Sequence, residues 1–177
     1  MSSAACIRTA RAEDVPALLA IYNHAVVHSV ATFDLEPLTL AEWQQWYARH
    51  NVGNHPLLVA EADGTAVGYA SLSSYRPMPA YRSAVELSLY IHPAYQGRGL
   101  GSALMQRILD MARQDARTHL VVSVITAENA VSRRLHERFG FRFCGCLHEA
   151  GYKHGAYHDV VHYELLADAA AADGAGA

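Results

Sequence analysis

The chain has 177 residues, 51% of them hydrophobic, and a formal net charge of −3 from 14 Lys and Arg against 17 Asp and Glu. A balance this close to neutral leaves no basic footprint for a nucleic-acid partner, and no apolar run approaches the roughly 18 residues that a membrane span requires. Residues 1–5 are too short and too uncharged for a secretory leader, and three cysteines without a paired framework fit a reducing cytoplasm.

At this length the simplest organisation is one domain over residues 5–166, able to bury about 70% of the extended chain's surface. Residues 167–177, mostly Ala with Asp and Gly, read as a disordered tail. Residues 6–10 read as a short strand, and the helix after it carries Val15, Leu18, Leu19, Tyr22 and Val26 along one face. Thr39 and Glu42 form a capping box opening a second helix with Trp43, Trp46 and Tyr47. For the two tryptophans core packing is the default, and a substrate platform is the alternative. Residues 57–62 and 65–75 are strands joined through Asp63-Gly64, a hairpin signal. Residues 76–83, with Pro77 and Pro79, form a loop into a strand over 84–92. On that strand Glu86, Ser88 and Tyr90 share one face, opposite Val85, Leu87, Leu89 and Ile91. A helix over 99–116 presents Leu100, Ala103, Leu104, Ile108, Met111 and Ala112 on one side. A strand over 120–126 follows, then a helix from 129 to about 139 that Gly140 closes. Strands near 141–148 and over 157–166 finish the sheet. Strand, helix and strand in succession from 85 to 126 imply a parallel crossover.

Between that strand and helix runs Gln96-Gly97-Arg98-Gly99-Leu100-Gly101. A glycine-rich turn there gathers free backbone N–H groups at the positive end of the helix dipole, which makes an anion site and above all a phosphate site. A P-loop would carry Lys after the second glycine, but Ser102-Ala103 follows Gly101. A dinucleotide fingerprint would need a third glycine where Ser102 stands, and an acidic residue ending a second strand, whereas Asp115 falls at a helix end. Both readings fail on residues. His154, His158 and His162 recur every four residues, yet Gly151, Gly155 and Val160-Val161 argue for a hairpin rather than a metal-binding helix. Cys144 and Cys146 fall on one face of a strand and read as packing, with a redox pair or a zinc site as the alternative.

Gln96, Gly99 and Gly101 fit the pattern Gln/Arg-x-x-Gly-x-Gly/Ala. Together with Asn129-Ala130-Val131-Ser132, Leu135-His136-Glu137-Arg138-Phe139-Gly140-Phe141, and the opening Ile7-Arg8-Thr9-Ala10 with Asp14, Leu18 and Ile21-Tyr22-Asn23, they make residues 5–166 resemble the GCN5-related N-acetyltransferases. Ala31-Thr32-Phe33, Tyr75-Arg76-Pro77, Ala80-Tyr81-Arg82 and Val85-Glu86-Leu87-Ser88-Leu89-Tyr90 are similar to one branch, the phosphinothricin and methionine sulfoximine acetyltransferases. The resemblance implies a mixed α/β (α+β) acetyltransferase fold. Its central sheet is mostly antiparallel, with one parallel, splayed strand pair and flanking helices. Acetyl-CoA is the implied co-substrate, with no metal. Its pantetheine arm would lie in the splay like another strand, against backbone of Leu89, Tyr90 and Ile91. Gln96, Gly97, Arg98, Gly99, Leu100, Gly101 and Ser102 would cradle the diphosphate, with Asn129, Ser132 and His136 also at the cofactor. A plain helix N-cap is the alternative role for Asn129.

The implied reaction, aminolysis of a thioester, needs a neutral amine, a polarised carbonyl and a proton for the leaving thiolate. Glu86 matches the family's glutamate and is assigned as general base through a water, with a salt bridge to Arg76 or Arg82 as the alternative. His136 either protonates the thiolate or only contacts the cofactor, with a plain helix-surface histidine as the further alternative. A strand N–H, that of Leu89 or Tyr90, would polarise the carbonyl. Phe33, Tyr75, Arg76, Arg82, Glu86 and Tyr90 are the candidate substrate contacts, since guanidinium forks suit carboxylates, with a surface position as the alternative for Arg82. The expectation is a cytoplasmic N-acetyltransferase for a small amino acid. It is expected to be a homodimer through an edge at 157–166. The alternatives are acetylation of a polyamine or a protein N-terminus, and a non-catalytic acyl-CoA-binding protein.

Overall fold

Runs of alternating apolar residues pair seven strands into one sheet, in the order β1-β2-β3-β4-β5-β7-β6. The computed structural model describes residues 5–167, so the tail expected beyond Ala167 and residues 1–4 lie outside the described residues. The strands are β1 Cys6–Thr9, β2 Leu57–Ala62, β3 Thr65–Ser74, β4 Ala84–Ile91, β5 Leu120–Thr126, β6 Arg142–Lys153 and β7 Ala156–Leu166. The helices are α1 Val15–His28, α2 Leu40–Tyr47, α3 Leu100–Gln114 and α4 Ala130–Arg138. Every neighbouring strand pair is antiparallel except β4–β5. No helix of the described residues is long and apolar enough to cross a membrane.

Strand alternation sends residues to two cores. Leu58, Ala70, Leu72, Val85, Leu87, Val121 and Val161 meet Leu104, Met105, Ile108 and Leu109 of α3 on one face. Leu57, Val59 and Tyr69 meet Leu18 and Ile21 of α1 and Trp43 of α2 on the other. The capping box forms as expected: the Glu42 carboxylate accepts from the Thr39 N–H at 2.8 Å, and the Thr39 hydroxyl accepts from the Glu42 N–H at 3.3 Å.

The last hairpin differs from expectation in three ways. β6 runs on to Lys153 instead of ending near 148, because His154 and Gly155, both at positive φ, make a tight turn only there. β7 lies between β5 and β6, so the strand expected at a dimer edge is internal and β6 is the edge. The register shifts between Phe143 and Gly145, so Cys144 has no partner while Cys146 lies opposite Val161. That extra residue reverses the alternation and puts the two thiols on opposite faces rather than one.

Candidate active site

β4 and β5 pair through Ala84–Leu120, Val85–Val121 and Glu86–Val122, and then part. Beyond that point Leu87 to Ile91 keep partners only in β3, and Ser123 to Thr126 only in β7. Two backbone edges therefore face each other across a cavity of about 410 Å³. Glu86, Ser88, Leu89 and Tyr90 line it from β4, Ser123 and Thr126 from β5, and Asn129, Ser132 and His136 from the start of α4 and its first turns.

Glu86 is half-buried, and burial pushes its carboxyl above the ordinary carboxylate range. Among the described residues it takes part in no hydrogen bond or ion pair, so the salt-bridge alternative is not what forms. Arg76 instead lies 5.1 Å from the Tyr75 ring centroid and Arg82 is exposed, and neither these two nor Tyr75 lines the cavity. Aromatic side chains line the cavity together with Glu86. Tyr22 packs 4.6 Å from Trp43 and 5.3 Å from Tyr90, and Trp43 stacks on Trp46 at 4.4 Å. Both tryptophans line the cavity as well as pack against the core. The Tyr22 hydroxyl donates to Asp34 Oδ2 at 2.6 Å and lies 2.8 Å from the Thr32 hydroxyl.

Phe33 reaches the cavity on a loop that the β6–β7 hairpin seats. Buried Lys153 donates to the Thr32 carbonyl at 2.8 Å, and the Thr126 hydroxyl donates to the Val30 carbonyl. The Phe33 ring lies flush on Gly151, where an added Cβ would stand 2.7 Å from Cε1. Alanine at Gly151 therefore displaces Phe33. It is expected to raise the KM for the amine about 5- to 20-fold, the cost of overpacking one contact by about 1–2 kcal/mol. The KM for acetyl-CoA stays unchanged, and steady-state kinetics with each substrate varied separately checks this. The sequence names Tyr22 and Thr32 only within motifs, and Asp34 and Lys153 not at all. The fold brings Tyr22, Thr32 and Asp34 to the cavity and sets Lys153 behind Thr32.

His136 is buried, with Nδ1 donating to the Ser132 carbonyl at 2.8 Å. A carbonyl can only accept, so the ring proton sits on Nδ1 and Nε2 is bare. Burial also holds the imidazole below its ordinary pKa, which keeps it neutral at pH 7. Among the described residues Nε2 has no partner. Of the four other buried side-chain atoms left without one, Ser123 Oγ and Trp43 Nε1 also belong to residues lining the cavity, while Ser71 Oγ and Thr118 Oγ1 do not. A polar ligand there would complete the three.

The glycine-rich turn sits beyond the far end of β4. Gly97 and Gly99 adopt φ of 73° and 80°, and Gly99 caps α3 with no side chain covering the first amides and no acid in the first turn. The N–H groups of Leu100, Gly101 and Ser102 thus have no intrahelical acceptor. Arg138 of α4 donates to the Ser102 hydroxyl, which adds a cation at this positive helix end. Gln96 and Arg98 brace the turn by donating to the Ile91 carbonyl at 3.3 Å and the Ala94 carbonyl at 2.8 Å. Asn129 Oδ1 accepts from the Ser132 N–H at 3.1 Å, so it caps α4 while lining the cavity. Of the expected site residues, the cavity collects Phe33, Glu86, Leu89, Tyr90, Asn129, Ser132 and His136, while Ile91 and residues 96–102 lie outside its lining.

The same architecture recurs in known proteins. Residues 17–141 match the sequence model of the Acetyltransferase (GNAT) family. An L-methionine sulfoximine/L-methionine sulfone acetyltransferase of Salmonella typhimurium is 37% identical over 94% of this chain and 96% of its own. A phosphinothricin N-acetyltransferase of Streptomyces coelicolor is 41% identical over 89% of this chain and 94% of its own. A Salmonella typhimurium acetyltransferase solved with its cofactor acetyl-CoA superposes with a TM-score of 0.90 at 37% identity, covering 94% of this chain and 95% of its own. The chain therefore belongs to the GNAT acetyltransferase family and is an acetyl-CoA-dependent N-acetyltransferase.

Proposed function

We propose that the enzyme acetylates the amino group of a small amino acid of the methionine sulfoximine or phosphinothricin type. The observation that carries this is the unpartnered Glu86 carboxylate facing an aromatic-walled cavity at the point where β4 and β5 part. The names of the relatives support the substrate class. Acetyl-CoA supplies the activated acyl group. The amides of residues 97–102 and the Arg138 guanidinium hold its diphosphate, and the free β4 edge at Leu89, Tyr90 and Ile91 aligns the pantetheine arm. Glu86, its proton affinity raised by burial, accepts the ammonium proton through a water. A β4 N–H from Leu89 or Tyr90 polarises the reacting carbonyl. Neutral His136, bare at Nε2, serves as a cofactor contact rather than as the proton donor.

Arg76 and Arg82, outside the cavity lining and in no ion pair among the described residues, are assigned to the carboxylate and the polar or anionic head group of the amino acid. One observation favours a second reading. The cavity lining holds two carboxylates, Glu86 and Asp34, and no arginine, which suits a polyamine. A thiol-release screen of amino acids, methionine sulfoximine, methionine sulfone, phosphinothricin and polyamines separates the two. Turnover confined to the sulfoximine, sulfone and phosphinothricin set is expected, and Arg76→Gln with Arg82→Gln raises its KM about 10-fold or more, as loss of charge-assisted hydrogen bonds does. Turnover confined to polyamines overturns the substrate assignment.

We place the enzyme in the cytoplasm, where its three unpaired cysteines suit a reducing medium. We also propose a homodimer, with edge strand β6 and its exposed Phe143 and Leu147 as the contact. Sedimentation equilibrium tests this, and a monomer at micromolar concentration removes it.

A further inference from the structure

The cavity uses one face of the β6–β7 hairpin, where Val160 lines it. The other face, marked by Val161 and Tyr163 packed in the α3 core, carries a separate cluster. Register along the hairpin passes from Leu147–Val160 to Gly151–His158, so residues 148–150 of β6 bulge opposite Asp159 alone. Glu149, at φ 51°, donates its N–H to Asp159 Oδ1 at 2.8 Å. That bond fixes the carboxylate and leaves Oδ2 turned to His148 Nδ1, 3.0 Å away. Cys146 Sγ stands 3.8 Å from the same Nδ1 and 3.9 Å from the same Oδ2.

A nucleophilic relay of thiol, imidazole and carboxylate needs the ring between the other two, one nitrogen to each. Here thiol and carboxylate both approach Nδ1, so no relay can run. Three donors of different chemistry instead converge on a single point. A tetrahedral zinc ion with bonds of about 2.0–2.3 Å sets its ligands roughly 3.3–3.7 Å apart, within a few tenths of an ångström of the separations found. Oxygen-preferring cations are disfavoured, because a thiolate and an imidazole select borderline transition metals over Mg²⁺ and Ca²⁺.

We infer that Cys146, His148 and Asp159 form an accessory binding site for one divalent ion of the Zn²⁺ class, completed by water. The ion bonds to Sγ, Nδ1 and Oδ2; the Cys146 thiol proton leaves to solvent and the His148 ring proton, held on Nδ1 by Asp159, passes to Nε2. Its effect is to fasten the β6 bulge to β7 at the sheet edge. It has no part in acetyl transfer, since none of the three residues lines the cavity and Glu86 lies on the opposite face of the sheet.

The test uses the full-length enzyme carrying Cys6→Ser and Cys144→Ser, which leaves Cys146 as the only thiol. Titration with Co²⁺ is expected to give one equivalent bound with a thiolate-to-cobalt charge-transfer band in the near ultraviolet, displaced by Zn²⁺. Cys146→Ser in the same background abolishes the band. His148→Ala weakens Co²⁺ binding at least 10-fold. Both variants keep the acetyl-transfer rate of the parent, which shows that they fold. The proposal is overturned if the parent shows no charge-transfer band, or if His148→Ala binds Co²⁺ as tightly as the parent. Should the double-serine background fail to fold, the difference spectrum between wild type and Cys146→Ser reads the same band and decides in the same way.

Discussion

Glutamine at Glu86 is expected to cut kcat by about 10²- to 10³-fold, the range lost when a positioned general base is removed, with KM for acetyl-CoA unchanged. The carboxylate has no hydrogen-bond or ion-pair partner among the described residues, so the loss reports proton transfer rather than a broken scaffold. In the wild type, kcat/KM rises with pH through the Glu86 pKa, which burial places above the usual carboxylate value of 4.5. That limb is absent from Glu86→Gln. Stability should move the other way. A carboxyl whose pKa is raised on folding binds its proton more tightly in the native state, so its contribution is fully present below the unfolded pKa and is lost as pH rises through the folded pKa. At pH 7 the ionised group opposes folding, and glutamine relieves that opposition. Urea unfolding at pH 7 should find Glu86→Gln at least as stable as wild type, and any advantage should vanish near pH 4. An equally active variant would remove Glu86 from the chemistry, and a markedly less stable one would recast it as structural.

Valine at Gly99 should raise the KM for acetyl-CoA about 10- to 100-fold, an energy of ~1.4–2.7 kcal/mol. Gly99 sits at φ 80°, in the left-handed region where a β-branched residue is strained by about 1–3 kcal/mol. The turn escapes that strain by refolding, and the amides of Leu100, Gly101 and Ser102 lose their common aim. Gly53→Val supplies the control, since its φ of 58° imposes comparable strain in the turn before β2, where neighbouring Asn54 reaches the Arg82 carbonyl at the opposite end of β4. It should cost stability and leave KM alone. Equal KM effects in both variants would mean that Gly99 matters only through folding.

Local chemistry carried much of this fold in readable form. The Thr39–Glu42 capping box, the Asp63-Gly64 turn and the strand at 120–126 are written in neighbouring residues, and each forms where its signal lies. The Glu86 face of β4 follows from period-two alternation alone. The β6 bulges had no such signal, because an extra residue in a strand is defined only against the partner it fails to match. Strand order was equally hidden, and an alternating strand at 157–166 reads the same whether it is internal or at an edge. The acceptor side of the cavity depends on contacts that span the chain, such as Lys153 reaching Thr32 across 121 positions. A lysine at the end of a strand looks like a solvated charge until the hairpin folds over the loop. Trp43 and Trp46 serve core and cavity at once, a distinction that helical periodicity does not encode.

A sheet that divides midway exposes two raw edges, and raw edges recruit foreign strands into aggregates. Here only three residue pairs precede the fork, and the fork is walled by Tyr22 and Trp43 on one side and His136 on the other. Edges recessed between two strands of one sheet, unlike an edge at its rim, are shielded from docking by another protein's strand. The fold thereby keeps an open edge for its own use without becoming sticky toward its neighbours.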